Sequence, residues 1–103
     1  MTTDRELLEL AAKAAGRTVE GFSPQKGLLV SLRDGVSAWW NPLTTDGDNR
    51  RLQVALKVGL VPIEDGGWAC ITWDHDDQVT LAADLDPNRA VVRAAAAIGK
   101  AMK

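Results

Sequence analysis

The chain has 103 residues, 46% of them apolar and 25% charged, with a formal net charge of −2 and a pI near 5.2. That length supports one core and a single domain over residues 1 to 103, and the composition is that of a globular rather than a disordered protein. The acidic balance removes the overall electrostatic case for binding duplex nucleic acid, whose affinity comes chiefly from Lys and Arg displacing counterions, and a lone Cys70 excludes an intrachain disulfide.

The opening MTTDRELLELAAKAAG is charged and helix-patterned where a cleavable signal needs a continuous apolar run. No stretch approaches the ~20 apolar residues of a membrane span, so the expected location is the cytoplasm, with no membrane contact. Thr3 and Glu6 have the spacing of a capping box and Gly16 the position of a helix end, which predicts a helix over residues 4 to 15. Leu7, Leu8, Leu10, Ala11, Ala14 and Ala15 gather on its packing side.

TVEGF (18 to 22), GLLVSL (27 to 32) and VSAWW (36 to 40) follow as β-prone runs separated by turn chemistry, predicting two or three antiparallel strands. Val30 and Leu32 share one side of this hairpin. After the loop at 39 to 49, residues 47 to 58 are expected as a second helix ending at Gly59, with Leu52, Ala55 and Leu56 on its core face. Val54 and Val58 project well round the cylinder, so either two layers clasp this helix or a second subunit does, making Val54 and Val58 candidates for an interface.

LVPIE, DGG and WACITW read as a hairpin with Asp65-Gly66 at its turn. In WACITW, Trp68, Cys70 and Thr72 point one way and Ala69, Ile71 and Trp73 the other, which predicts a strand covered on both faces, with Trp68 and Trp73 in the sheet core. DHDD turns the chain into QVTLA, and Asp86-Pro87 opens a last helix whose buried face is Ala90, Val91, Ala94, Ala95, Ile98, Ala101 and Met102. Four alanines, 94 to 97, let that helix approach the sheet closely. The class is α+β: a mainly antiparallel sheet of about five or six strands, with three helices packed on it.

The inventory for chemistry is short. Cys70 and His75 are too few to make a structural zinc site, no GxSxG elbow serves a triad, and no glycine motif cradles phosphate. Cys70, in mid-strand, reads as a small buried hydrophobe. The acidic clusters Asp46 with Asp48 and Asp74, Asp76, Asp77 read as a helix start and a solvated turn, because the closing Glu of a calcium loop is missing. Arg89, Arg93 and Lys100, like Arg50, Arg51 and Lys57, read as the wet sides of helices. No catalytic residue, metal or cofactor is expected.

WWNPLTTDGD before an amphipathic helix, then a Trp-containing strand, then DPNRAVVRAAAAIGKAM, resembles a group of small phage- and prophage-encoded proteins related to the phage ABA sandwich domain and similar in style to the NinX proteins. The opening ELLELAAKAAG fits too, and residues 18 to 36 match least. The resemblance implies a layered α-β-α sandwich, a phage origin and hence the cytoplasm of a bacterial host; it implies no activity. The second helix departs from the pattern by being longer through residues 50 to 54, which leaves its register open.

Two readings meet at WWNPLTTDGDN. Asn41-Pro42 stops the strand, Thr44 or Thr45 caps the next helix, and Asp46 and Asp48 sit near its positive end, so the stretch serves as a seam. Alternatively Trp39 or Trp40 with Asn41, Thr44, Thr45, Asp46 and Asp48 forms an aromatic platform beside polar groups, suited to a nucleotide-like ligand captured in anti-defence. Core placement of both Trp39 and Trp40 is the expected arrangement. The other function class is a protein–protein adaptor, docking on a host or phage protein or on a second copy through Val54 and Val58.

Overall fold

The structure is a computed structural model that describes residues 3 to 102. Met1, Thr2 and Lys103, the ends of the domain expected over 1 to 103, lie outside the described residues. The elements run α1 (Asp4–Ala14), β1 (Thr18–Ser23), β2 (Gly27–Arg33), β3 (Val36–Trp40), α2 (Asp46–Leu56), β4 (Gly59–Pro62), β5 (Trp68–Asp74), β6 (Asp77–Asp84) and α3 (Pro87–Ala101). The class is α+β as expected, and all strand pairs are antiparallel.

The six strands form two three-stranded meanders, β1-β2-β3 and β4-β5-β6, rather than one sheet. Local turns build each meander, but joining them requires one edge to hydrogen-bond another. Edge strand β4 is only four residues long and ends in Pro62, which has no N–H to offer.

The first and last helices begin on their expected caps. Glu6 N–H donates to Thr3 Oγ1 at 3.1 Å and Thr3 N–H to Glu6 Oε1 at 3.4 Å, closing the capping box of α1. Asp86 caps α3 by accepting from the Asn88 and Arg89 amides, with Pro87 behind it. Thr45 stands at the N-cap of α2 with extended backbone, one of the two positions the sequence offered, but its hydroxyl makes no capping bond.

Helices α1 and α2 end alike. Gly16 is left-handed (φ 73°), its N–H reaches the Lys13 carbonyl at 3.1 Å, and the Arg17 N–H reaches Ala12 at 2.8 Å. Lys57 is left-handed (φ 57°), its N–H reaches Val54 at 3.3 Å, and the Val58 N–H reaches Gln53 at 3.1 Å. Each is a Schellman closure, and the second places a lysine where glycine is the usual solution. It stops α2 at Leu56, two residues short of the expected end.

Helix α3 is the centre of the molecule, in contact with α1, α2 and all three strands of the second sheet. Ala90, Val91, Val92, Ala94, Ala95, Ala96 and Gly99 are buried, a sweep of about 240° around its axis. The broad apolar arc expected of α2 thus belongs to α3. Val92, Ala96 and Gly99 replace Ile98, Ala101 and Met102 of the expected face, the last two being exposed, because α1 covers a side that the sheet alone would leave open. Gly99 lies against the Leu10 carbonyl of α1, so the close approach is between two helices as well as between helix and sheet.

Three further placements differ from expectation. Ala55 is exposed, because Asn49, Leu52 and Leu56 form the inward stripe of α2 and Ala55 stands about 90° from its centre. Leu28 and Val30 are buried while Leu32 is 52% exposed, at the register shift between Ser31 and Arg33. Trp68 packs against the core, but Trp73 is 64% exposed, paired with Gln78 near the β5–β6 turn. On β5, Cys70 and Ile71 are both buried though they face opposite ways.

Candidate functional site

The stretch from Trp39 to Asn49 is knit to its surroundings by its own polar groups. Trp40 is buried against the core with Leu28 opposite it, and Gly27 leaves no room for a side chain: a Cβ there would lie 2.6 Å from that of Asn41. Asn41 and Pro42 are buried. The Asn41 N–H donates to Asp48 Oδ2 at 3.0 Å, its Oδ1 accepts from Leu43 N–H at 3.2 Å, and its carbonyl accepts from the amides of Thr44 and Thr45.

Asn49, 1% exposed, is the hub that sequence reasoning missed. Its Nδ2 donates to the Pro42 carbonyl at 2.9 Å and to the Asn88 carbonyl at 3.1 Å, and its Oδ1 accepts from Gln53 at 2.9 Å. Asn88 completes the clamp by donating to Asp46 Oδ1 at 3.0 Å, joining the α2 and α3 starts. The one available signal was an asparagine on the apolar stripe of a helix; its partner, 39 residues away, could not be read from spacing.

Of the seven residues considered for a ligand, Trp40 and Asn41 are buried, and Asp46 and Asp48 are engaged by Asn88 and by the Asn41 amide and Arg51. Thr44 and Thr45 are exposed. Trp39 is 43% exposed and carries Lys26 Nζ 5.3 Å from its ring, so the expected core placement holds for Trp40 alone: neighbouring strand residues face opposite sides, and the helices cover only one. A cleft of about 280 Å³ beside these tryptophans is lined by Arg17, Val30, Leu32, Ala38, Asp48 and Arg51.

A larger cleft, about 530 Å³, opens where α2 passes into β4. Val54, 66% exposed, lies on its α2 wall with Arg50 and Gln53, and Lys57, Val58, Gly59 and Leu60 complete it. Val58 is half-buried and packs on the core, so of the two interface candidates only Val54 offers its side chain freely. A third cleft, about 410 Å³, runs between α1 and α3 past Glu6, Leu10, Arg93 and Lys100.

Reactive groups stand apart from all three clefts. Cys70 is fully buried, and burial pushes its thiol from 9.0 up to about 11. His75 sits exposed in the β5–β6 turn beside Asp74. Arg89 and Arg93 are not merely wet: both meet Asp84, and Arg89 also meets Asp4 at 2.9 Å, tying α3 to β6 and α1. Among the described residues no group of His, Cys, Asp and Glu is arranged to hold a metal, and no helix is long and apolar enough to cross a membrane. Compared with protein-family models, curated proteins and solved structures, the chain matches none of them.

Proposed function

We propose that this chain is a phage- or prophage-type accessory protein of the bacterial cytoplasm, a non-enzymatic binding module that docks on a host or phage protein through the cleft between α2 and β4. The observation that carries the reading is Val54: a branched apolar side chain, 66% exposed, on the wall of the roomiest of the three clefts, next to Val58 and Leu60. Exposed single apolar residues are ordinary, whereas one that shares a mixed polar and apolar cleft with Val58 and Leu60 fits a contact surface. The layered α-β-α body belongs to the same reading and rests on Cys70 and Ile71, buried on opposite faces of β5.

Affinity capture from phage-infected host cells tests the docking, with the wild type and Val54→Asp compared. The expected result is a partner retained by the wild type and lost by the variant, with the circular dichroism of the two unchanged. Equal capture by both retires the cleft as the docking surface.

A second reading, a nucleotide-like ligand bound in anti-defence, keeps one observation in its favour: Trp39 is partly open beside the 280 Å³ cleft, with Arg17 in its lining. Stacking on such an indole contributes ~1 to 3 kcal/mol in single-stranded nucleic-acid sites. Titrating tryptophan fluorescence with nucleotides and cyclic dinucleotides tests it, and a flat response across the panel removes it.

A further inference from the structure

We infer that the segment recognised at the α2–β4 cleft is acidic: carboxylate-bearing residues on both sides of an apolar residue, supplied by a different protein and not by a second copy of this chain. This rests on the docking reading and adds the chemistry of the partner. Arg50 and Val54 stand at i and i+4 on one face of α2, and Lys57, at the left-handed cap that ends the helix, lines the same cleft, so two cations stand beside the apolar Val54. Carboxylates also line the other two clefts, Asp48 beside Arg17 and Arg51 in one and Glu6 beside Arg93 and Lys100 in the other. Of these three clefts, the α2–β4 one alone has cations without a carboxylate among the described residues, in a chain whose formal net charge is −2.

Neither Arg50 nor Lys57 has an ion-pair partner among the described residues. Lys57, moreover, holds a left-handed position that Gly16 fills in the equivalent closure of α1. Strand addition to β4 is disfavoured by Pro62 at that edge, so side chains rather than backbone carry the recognition. A two-fold contact between copies would set Arg50 and Lys57 against the same cations of the other copy.

Panning a random dodecapeptide display library against the whole chain tests this. The expected peptides carry Asp or Glu on both sides of an apolar residue, lose binding to Val54→Asp, weaken about tenfold toward Arg50→Ala/Lys57→Gln, and bind less tightly as salt rises. Arg50→Glu/Lys57→Glu is expected to enrich basic peptides instead. Neutral or basic peptides that Val54→Asp still rejects would leave the docking surface standing and overturn its acidic preference. Peptides that ignore Val54→Asp, no enrichment at all, or a dimer by light scattering that Val54→Asp dissolves would overturn the proposal together with the docking to another protein. Urea midpoints of the variants near that of the wild type certify the fold, since all three substituted side chains are exposed.

Discussion

Gly99 of α3 lies directly against the backbone carbonyl of Leu10 in α1, with Ala11, Ala12, Ala95 and Ala96 buried in the same core. A Cβ at Gly99 would strike that oxygen and the Leu10 carbonyl carbon behind it, both backbone atoms that no rotamer change can move. Gly99→Ala therefore destabilises by about 2 to 3 kcal/mol by overpacking, although alanine is the better helix former. Urea unfolding followed by circular dichroism measures it; a gain in stability would show that the helices do not meet there.

Lys57→Gly has the opposite sign. Relief of the left-handed strain outweighs the entropy that glycine adds to the unfolded chain, leaving a net gain of about 0.5 to 1 kcal/mol. The same denaturation experiment reads it, and binding of acidic peptides is expected to fall in the stabilised variant.

Asn49→Ala leaves the Pro42 and Asn88 carbonyls without their donor and costs about 2 to 3 kcal/mol. Asn88→Ala, which keeps the Asn88 carbonyl and removes only side-chain bonds, costs about 1 kcal/mol. Thermal unfolding of the pair separates them, and equal losses would deny Asn49 its place as hub.

The adjacent tryptophans differ. Trp40→Ala empties a core site and costs about 3 to 5 kcal/mol, whereas Trp39→Ala removes a half-open ring and its contact with Lys26, within about 1 kcal/mol. Acrylamide quenching checks the placement directly: Trp39→Phe and Trp73→Phe lower the quenchable fraction, and Trp40→Phe does not.

Cys70 should resist a disulfide reagent at neutral pH until the protein unfolds. Because burial raises the thiol from 9.0 to about 11, the folded state keeps a proton the unfolded state has released. This contribution is fully present below pH 9 and is lost as pH rises through about 11, so stability falls across that window. Cys70→Ala flattens that part of the curve, and an unchanged slope in urea unfolding between those pH values refutes the assignment.

The local elements were legible in the sequence because their causes are local. Thr3 with Glu6, Gly16, Asp86-Pro87 and the alternation of WACITW act within a few residues, and each marks an element the structure contains. What tertiary structure alone decided was the destination of each face. Trp39 and Trp40 have the same composition and propensity, yet helices cover only one of them; α3 is buried through about 240° because α1, from the far end of the chain, closes on Gly99. The partition into two sheets and the clamp of Asn49 on Asn88 likewise depend on surfaces that meet across long separations. Periodicity fixes which side chains share a side, since that follows from backbone geometry; what covers that side is set by packing among elements distant in the chain.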